Sequence, residues 1–376
     1  MHIADGDHRD VIIVGGGFGG SLLALSLARR GVRVSVIDPH RVYGSDFRCE
    51  KFNPEQAGLL AELGTLDCLC PEAGGSAEIV VSRGYRYEQM VNRIRGAWPS
   101  EIAFHEGSAD AIELGEEAQK VVLSSGEALS GRLAVLATGR GERLRRSLGI
   151  QRQVLRKQHS LCIGFTLTSA EAALPFDGMI QHGERAGDGI AFVSLFPMDG
   201  AMRVNLFSYR DPKGAWARGF RDDPLGSLTR TFPKLAPLLA GAQAAGPAEF
   251  GVTDLYEAQG HVRAGVLMVG DAFSSSCPAT GMGITRILTD VRQLSGVHVP
   301  AWLATTGMPA GKIAEFYSDP VKQALERRSR RSAQAGRSAA TRVDLRWRAY
   351  RLLRSARRAV RASPLRSAPT TAGAHA

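Results

Sequence analysis

The chain has 376 residues, of which 44% are hydrophobic, so it is long enough for two domains or one elaborated fold with a sizeable core. No apolar run reaches the ~18 residues that cross a bilayer, and the N-terminal residues lack the apolar stretch of a signal peptide, so we expect a cytoplasmic protein. The five cysteines have neither a metal-ligand spacing nor an even number for disulfides, which favours reduced thiols and no metal site. The net charge of the chain is +10.

A glycine-rich loop near the N-terminus is the first strong signal in chain order. The elements predicted around it are a buried strand, a helix and a second strand, over residues 10–14, 22–30 and 32–37. Between the first strand and the helix, Gly15, Gly17 and Gly20 occupy the G-x-G-x-x-G positions of a dinucleotide-binding turn. The second strand ends in an acid, Asp38. These features in one span predict a dinucleotide-binding unit.

Each residue type in this unit has a physical role. Gly15 allows the tight turn, Gly17 lets the backbone approach a pyrophosphate, and Gly20 lets helix and strand pack closely. The helix N-terminus offers unpaired N–H groups to the phosphates, and Asp38 is placed to bind the adenosine ribose. The predicted cofactor contacts of the unit are Gly15, Gly17, Phe18, Gly19, Gly20 and Asp38.

The chain then changes its periodicity twice. Helices are predicted over 54–63 and 85–95, and short strands over 102–105, 111–114, 120–124 and 133–137. Residues 161–209 alternate at strand length between turns, which predicts an inserted antiparallel sheet. Residues 266–269 return to the parallel pattern, and Gly270 and Asp271 follow at the carboxyl end of that strand, where such folds bind ligands.

The predicted fold class is therefore α/β: a Rossmann-like FAD-binding domain with a parallel sheet, an inserted antiparallel substrate domain and a helical C-terminal tail. The FAD-binding domain is assigned to residues 1–160 and 250–320, with 70–100 partly facing the substrate. The substrate domain is assigned to 161–249 and the tail to 321–376. Glycine signals at both ends of a discontinuous domain indicate a cofactor held at both ends, as FAD is.

This order of motifs resembles the FAD-dependent aromatic hydroxylases, the single-component flavoprotein monooxygenases with a glutathione-reductase-type domain. Geranylgeranyl reductases and flavin-dependent halogenases are structural cousins of that superfamily. The resemblance covers residues 10–325 and is most specific over 15–20 and 270–290. The family pattern Gly-Asp-Ala-x-His, then Pro, then Gly-x-Gly is met except that Ser274 stands where histidine is usual.

The resemblance implies further site residues. Asp271 would hydrogen-bond the ribityl chain, and the helix beginning near Gly281 would aim its N–H groups at the pyrimidine edge of the flavin. Pro278, the only candidate at the reaction centre, would border the oxygen site. Arg48 would contact FAD, with a surface arginine as the alternative. The further cofactor contacts implied are Gly139, Gly270, Pro278, Met282 and Gly283.

Three functions stay open at this point. The first is hydroxylation or epoxidation of an aromatic or polyketide-like molecule, in which NADPH or NADH reduces FAD and a flavin C4a-hydroperoxide transfers one oxygen atom. The second is a geranylgeranyl-reductase-type flavoenzyme acting on an isoprenoid double bond. The third is a flavin-fold protein that binds a ligand without turnover, suggested by Ser274 and by Thr138, which replaces the aspartate of the family's middle motif.

What the sequence lacks narrows the reaction class. It contains no second G-x-G-x-x-G after Gly139, no paired redox cysteines and no Trp-x-Trp-x-Ile-Pro motif, which disfavours disulfide reductases and tryptophan-type halogenases. Apolar residues that could line a pocket, or form plain core, are Phe192, Phe196, Met198 and Phe207. His182 is a candidate substrate-side group or a surface histidine.

The basic charge lies in the tail. Residues 321–376 contain fifteen basic and two acidic residues, a net charge of +13, whereas residues 1–320 carry −3. Around residues 345–361, leucines fall on one helical face and arginines largely on the other, which is typical of a helix that lies on an anionic membrane surface. Contact with a membrane would in turn favour a lipophilic substrate. The alternative is a helix packed on the enzyme, followed by a disordered end from Ser363. No recognised nucleic-acid-binding fold accompanies the arginines, so we do not expect nucleic-acid binding. The sequence leaves the oligomeric state open.

Overall fold

The computed structural model describes residues 8–71, 76–169 and 178–362, with side chains as far as residue 353. Its β-strands are β1 His8–Val14, β2 Val34–Asp38, β3 Cys49–Glu50, β4 Tyr85–Arg86, β5 Ala103–Glu106, β6 Ala109–Glu113, β7 Gln119–Leu123, β8 Ala128–Leu136, β9 Gln151–Ser169, β10 Met179–His182, β11 Ile190–Met198, β12 Ala201–Ser208, β13 Ala242–Ala244, β14 Glu249–Gln259 and β15 Val266–Met268. Its α-helices are α1 Phe18–Ala28, α2 Pro54–Glu62, α3 Leu66–Leu69, α4 Ala77–Ser82, α5 Tyr87–Gly96, α6 Arg143–Ser147, α7 Ala215–Asp222, α8 Pro224–Thr231, α9 Met282–Gln293, α10 Val299–Leu303, α11 Ala310–Ser318, α12 Pro320–Thr341 and α13 Leu345–Ala362.

The larger sheet has the order β5-β2-β1-β8-β7-β6, and β15 pairs with β8 beside this path. Strands β5, β2, β1, β8 and β15 run parallel, whereas β6, β7 and β8 form an antiparallel meander. The central strand β1 is buried from Val11 to Val14, as is usual for strands of a parallel sheet, whose two faces are both covered. The predicted Rossmann-like layer is confirmed, and its carboxyl edge faces the glycine-rich loop.

The second sheet is antiparallel, with the order β10-β11-β12-β9-β13 and β14 paired with β9. One face buries Phe165, Val204 and Leu206 against Phe220 of α7 and Leu228 of α8. The predicted antiparallel layer is confirmed, but β9 begins at Gln151 and β14 continues to Gln259. The sequence hides these ends because residues 151–158 are mostly polar and exposed, so no apolar alternation marks a strand there.

Helix boundaries differ from the predicted ones where glycine or a short strand intervenes. Helix α1 begins at Phe18 rather than at residue 22, because its glycine-rich first turn is helical although its composition predicts a loop. The predicted helix over 85–95 splits into β4 and α5, since Tyr85 and Arg86 pair with β3.

The predicted tail begins inside the folded protein. Helix α12 buries Lys322, Glu326 and Ala333, so residues 320–341 contribute to the same body as the two sheets. The predicted disordered end from Ser363 lies outside the described residues. Within the described ranges, no helix combines the length and the apolar character needed to cross a membrane.

Candidate functional site

The glycine loop between β1 and α1 is shaped by contacts that exclude side chains. Gly15 has a φ of 105°, and a Cβ atom there would lie 2.5 Å from the carbonyl oxygen of Ala137, at the end of β8. A Cβ atom on Gly20 would lie 1.9 Å from the carbonyl oxygen of Gly15. Both positions therefore require glycine for the protein's own packing, as the roles predicted for Gly15 and Gly20 demand. Gly139 lies in the loop that follows Ala137.

Gly17 differs, because the protein itself does not require glycine there. Its φ of −66° suits any residue, and the nearest atom to an added Cβ is Tyr87 Oη at 3.4 Å. As the N-cap of α1, Gly17 supplies no side-chain cap, and the first turn contains no acidic residue. The neighbouring N–H of Phe18 donates to Tyr87 Oη at 3.2 Å. This helix end is thus open to an anion, and its composition fits the pyrophosphate of FAD.

Asp38 ends β2 beside the glycine loop. Its carboxylate accepts hydrogen bonds from the N–H groups of Gly16 (2.7 Å) and His40 (3.1 Å), and lies 3.3 Å from the Arg95 guanidinium. Arg95 Nε also donates to the Gly16 carbonyl at 3.1 Å, and its Nη1 donates to the Arg41 carbonyl at 2.8 Å. Arg95 thereby ties the loop to β2, a role that the sequence does not reveal because the arginine comes from α5, far along the chain.

The two glycine signals meet at one side chain. Cβ atoms added to Gly19 and to Gly270 would lie 2.9 and 2.4 Å from the same atom, Cδ1 of Ile287 in α9. Residues about 250 positions apart in the chain are therefore neighbours in space. This convergence brings the N-terminal loop and the turn after β15 to a single site, as a cofactor held at both ends requires.

Asp271 follows Gly270 at the carboxyl end of β15. Its carboxylate lies 3.6 Å from Arg140 Nε, and its side chain keeps 37% of its exposure. Arg140 Nη1 also donates to the Val252 carbonyl of β14 at 3.1 Å, and Tyr256 Oη donates to the Asp271 carbonyl at 2.9 Å. Burial and the Asp271 charge raise the pKa of Tyr256 to about 12, so this phenol stays a hydrogen-bond donor at neutral pH. The Asp271 carboxylate is accessible for a hydroxyl-bearing ligand.

The turn from Pro278 to Thr280 leads into α9. Gly281 caps that helix with a left-handed φ of 65°, supplies no side-chain cap, and is followed by a first turn without acidic residues. Gln56 of α2 fixes this end by donating through Nε2 to the Gly281 carbonyl and to Thr285 Oγ1, both at 3.0 Å. The Met282 N–H donates to Thr280 Oγ1 at 3.3 Å. Met282 and Gly283 thus lie in the first turn of a held helix, as expected for a flavin-facing N-terminus.

Arg48 lies beside the N-terminus of α1 but is held by the protein. Its guanidinium stacks on the Tyr87 ring at 3.6 Å from the ring centroid and pairs with Asp46 at 2.5 Å. Tyr87 in turn accepts the Phe18 N–H described above. The prediction that Arg48 contacts FAD stays a prediction, with Tyr87 as the residue that connects it to the glycine loop.

Ser274 stands where the related hydroxylases usually have histidine, and the structure shows what holds it. Its Oγ donates to Glu326 of α12 at 3.1 Å, and its carbonyl accepts from Arg286 at 3.0 Å. Arg286 and Lys322 both pair with Glu326, at 2.9 and 3.4 Å. Although burial alone would raise the pKa of Glu326, these two cations lower it to about 2. The serine is therefore part of a buried ionic cluster that fixes the turn between Asp271 and Pro278.

One face of the antiparallel sheet turns towards this site. Phe192, Phe207, Cys162 and Gly251 form a row across four adjacent strands, and Phe47 packs on Gly251. The phenyl rings of Phe192 and Phe207 lie 4.8 Å apart and are only partly buried. The segment Pro278–Thr280 contacts β9 and β12, the strands of this row.

The fold separates the other predicted pocket residues, Phe196 and Met198, from the aromatic row. Phe196 and Met198 are buried with Cys49 in a small cluster, so they are core rather than pocket. His182 lies next to Phe192, with the ring centroids 5.5 Å apart. His182 thus lies at one end of the aromatic row, and its role as a substrate-side group stays a prediction.

Glu50 of β3 is the titratable group that the sequence interpretation missed. Burial raises the pKa of its carboxyl to about 7, against a weaker opposing effect of Arg48. Phe47, three residues before Glu50 in the chain, packs on Gly251 of the aromatic row. Asn205 holds β3 against the sheet by donating to the Cys49 carbonyl at 3.0 Å. Glu50 thus combines a raised carboxyl pKa with a place on the short strand that packs against the antiparallel sheet.

Comparisons with known proteins agree with this geometry. Residues 8–92, which include the glycine loop and Asp38, match the family model described as FAD binding domain. The chain therefore contains an FAD-binding domain, which includes the residues that this model matches. The prediction that the chain binds FAD through its N-terminal glycine loop is thereby confirmed, whereas the predicted domain bounds stay a prediction.

Sequence relatives of this flavoprotein belong to two classes. A ubiquinone hydroxylase, UbiL, from Rhodospirillum rubrum is 32% identical over 169 residues, 38% of this chain and 39% of the relative. The chain thus matches well under two thirds of the length of that hydroxylase. Digeranylgeranylglycerophospholipid reductase 2 from Methanococcoides burtonii is 22% identical over 325 residues, 77% of this chain and 74% of the relative.

Solved structures share the fold at low identity. The p-nitrophenol 4-monooxygenase PnpA from Pseudomonas putida has a TM-score of 0.69 and 17% identity, covering 92% of each chain. The flavin-dependent halogenase CmlS also has a TM-score of 0.69, with 16% identity over 93% of this chain and 70% of the halogenase. Both likenesses show that the two-sheet architecture of this flavoprotein is an established one.

Proposed function

We propose that this protein is an FAD-dependent monooxygenase that hydroxylates or epoxidises an aromatic or polyketide-like small molecule, with NADPH or NADH as reductant. The observation that carries the proposal is the meeting of Gly19 and Gly270 at Ile287, together with the contact of the segment Pro278–Thr280 with β9 and β12, two strands of the aromatic row. This arrangement supports one site that holds both ends of a flavin-sized cofactor and has a wall for a planar substrate.

In this proposal the chain's own residues bind and orient the cofactor. The open first turn of α1 holds the pyrophosphate, Asp38 accepts from the adenosine ribose and Asp271 from the ribityl chain. The first turn of α9 stabilises negative charge at the pyrimidine edge, because a helix N-terminus carries a positive partial charge. When bound, FAD supplies electron transfer from NAD(P)H and the activation of oxygen for transfer of one oxygen atom.

The substrate side follows from the aromatic row. Phe192 and Phe207 offer partly exposed rings against which an aromatic substrate can pack while water is excluded. We assign to Glu50 the role of accepting the proton of a substrate hydroxyl at its carboxylate, since a pKa of about 7 suits proton exchange at neutral pH. Pro278 would border the oxygen side of the site, in the turn that contacts β9 and β12.

A second function, saturation of an isoprenoid double bond, is favoured by one observation. The reductase from Methanococcoides burtonii aligns with 77% of this chain, whereas the ubiquinone hydroxylase aligns with 38%. The two functions differ in their need for oxygen. Product formation in the strict absence of oxygen would support the reductase and exclude the monooxygenase.

The test is spectroscopic and begins with the purified protein. Its visible spectrum reports bound flavin, and NADPH or NADH is then added in air while oxygen uptake is followed with a panel of phenols and quinols. We expect flavin absorbance and oxygen uptake that rises with one class of phenol. Flavin reduction without stimulated oxygen uptake would favour the reductase. Protein that cannot be loaded with FAD would contradict both functions and favour ligand binding without turnover.

A further inference from the structure

Helix α13 presents its apolar stripe to solvent. Leu345, Leu352 and Leu353 keep 80, 72 and 63% of their exposure, and their spacing of seven and eight residues puts them on one face. Val343, just before the helix, is 54% exposed and extends the same end of the patch. A contiguous row of exposed leucines is costly in water, so it indicates a surface that something covers.

The opposite side of the helix is held to the protein by polar contacts. Arg351 Nη1 donates to the carbonyls of Ala339 and Arg342, the last turn of α12, at 2.9 and 2.7 Å. Asp344 accepts the N–H of Trp347 at 3.3 Å and pairs with Arg342 at 2.9 Å. Arg351 and Trp347 are the half-buried members of this first part of the helix. Arg351 therefore ties the helix to the end of α12 on the side away from the leucines, which argues against burial of the leucines on the protein's own surface.

The charge of α13 selects the partner. Residues 345–362 contain seven arginines and no acidic residue, and Arg346 and Arg348 are exposed close to the leucines. Contact between two copies of the helix would place these arginines against each other. An anionic bilayer surface offers negative headgroups to the arginines and an apolar boundary to the leucines at the same depth.

We propose that helix α13 docks this protein on the surface of an anionic phospholipid bilayer, with Leu345, Leu352 and Leu353 inserted at the headgroup–acyl boundary. The helix lies in the plane of the surface, and its arginines bind lipid phosphates. This inference does not depend on the proposed chemistry, because it uses only the exposure, the anchoring and the charge of α13.

Flotation of the full-length protein with lipid vesicles tests the proposal. Vesicles of phosphatidylcholine alone are compared with vesicles in which phosphatidylglycerol is a substantial minority component, at low and high salt. We expect flotation with the anionic vesicles, and we expect salt to weaken it by screening the arginines. No flotation with the anionic vesicles, or equal flotation with both kinds, would overturn the proposal.

Matched variants distinguish vesicle binding through α13 from non-specific adsorption of the protein. The triple variant L345S/L352S/L353S should lower the partition onto anionic vesicles at least tenfold, which corresponds to about 1.4 kcal/mol. The variant V42S, at a valine that is 72% exposed outside the helix, should bind as the unmodified protein does. Circular dichroism checks that each variant is folded. Unchanged binding of the triple variant would refute the proposal, as would concentration-dependent dimerisation that the triple variant abolishes without any vesicle binding.

Discussion

Gly17 offers the sharpest test of the cofactor site, because its backbone does not need glycine. At a φ of −66° and a ψ of −172°, alanine is unstrained, and its Cβ would meet only Tyr87 Oη at the ordinary contact distance of 3.4 Å. If glycine stands here so that a pyrophosphate can approach the backbone, Gly17→Ala should spare the fold and impair FAD binding.

The two effects differ in magnitude. Alanine lowers the entropy of the unfolded chain, worth about 0.4–1 kcal/mol, and is a poorer N-cap than glycine by a similar amount, so the free energy of unfolding should change by less than about 1 kcal/mol. For FAD, the methyl group displaces the phosphate from the N–H groups of the first turn. Weakening one hydrogen bond to a charged oxygen costs about 1.5–3 kcal/mol, so the dissociation constant should rise roughly 10- to 150-fold.

The assay combines urea denaturation with calorimetric FAD titration, on the unmodified protein and two control variants. Gly20→Ala puts a methyl group 1.9 Å from a backbone oxygen and should destabilise the fold by at least 1–3 kcal/mol. Gly58→Ala, in the exposed middle of α2 where an added Cβ would have no atom of the described residues within 4 Å, should leave FAD affinity unchanged. An FAD dissociation constant for Gly17→Ala within twofold of the unmodified protein would refute the pyrophosphate assignment.

Three further substitutions test the other parts of the site. Asp271→Ala removes only an exposed ion pair with Arg140, so we expect a stability loss below about 1 kcal/mol but loss of FAD on purification; retained FAD would refute its role. Glu326→Gln leaves Arg286 and Lys322 short of negative charge and should destabilise by about 3–5 kcal/mol in urea at pH 7. This difference should shrink as the pH falls from 4.5 to about 2, because the unfolded chain then binds a proton at Glu326 that the folded protein, in which the pKa of Glu326 is about 2, does not yet bind. Glu50→Gln should gain stability relative to the unmodified protein as the pH rises from 4.5 to 7, by at most about 3 kcal/mol, because a raised pKa penalises the buried carboxylate; parallel pH profiles would contradict its burial.

The N-terminal unit could be predicted from sequence because its constraints are local. The β-branched strand, the glycines at fixed spacing and the acid after the second strand are each a consequence of backbone geometry within about 30 residues. The predicted start of α1 was wrong by four residues, because the glycines that predict a loop also form the first turn of the helix. Local physics predicts the existence of an element better than its boundary.

The antiparallel sheet shows where local information ends. Alternation predicted β11 and β12, whose inner side chains are buried on one face, but it missed the first half of β9, which is exposed and polar. That half is a strand only because β14 pairs with it from Leu255 to Gln259, almost a hundred residues later. A strand stabilised mainly by backbone pairing leaves no apolar periodicity in its own sequence.

Arg95 and Glu50 were missed because their chemistry arises from distant partners. An arginine on a helix and a glutamate beside a lysine predict exposed charges. In the structure Arg95 holds the glycine loop by donating to the Gly16 carbonyl, and burial raises the pKa of Glu50. Charged groups behave in this way only when the fold supplies the desolvation and the partner, neither of which is encoded next to them.

Ser274 shows the same principle at a position where the sequence departs from the family pattern. Viewed alone, the serine in place of histidine suggested a lost function and supported a binding protein without turnover. In the structure Ser274 hydrogen-bonds to Glu326, and Glu326 comes from a helix that the sequence assigned to a separate basic tail. The serine at position 274 and the burial of α12 are therefore linked, because Ser274 and Glu326 of α12 belong to the same hydrogen-bonded cluster. Through Ser274, the buried carboxylate of Glu326 holds the segment between Asp271 and Pro278 in place. The serine therefore no longer argues against a working flavin site.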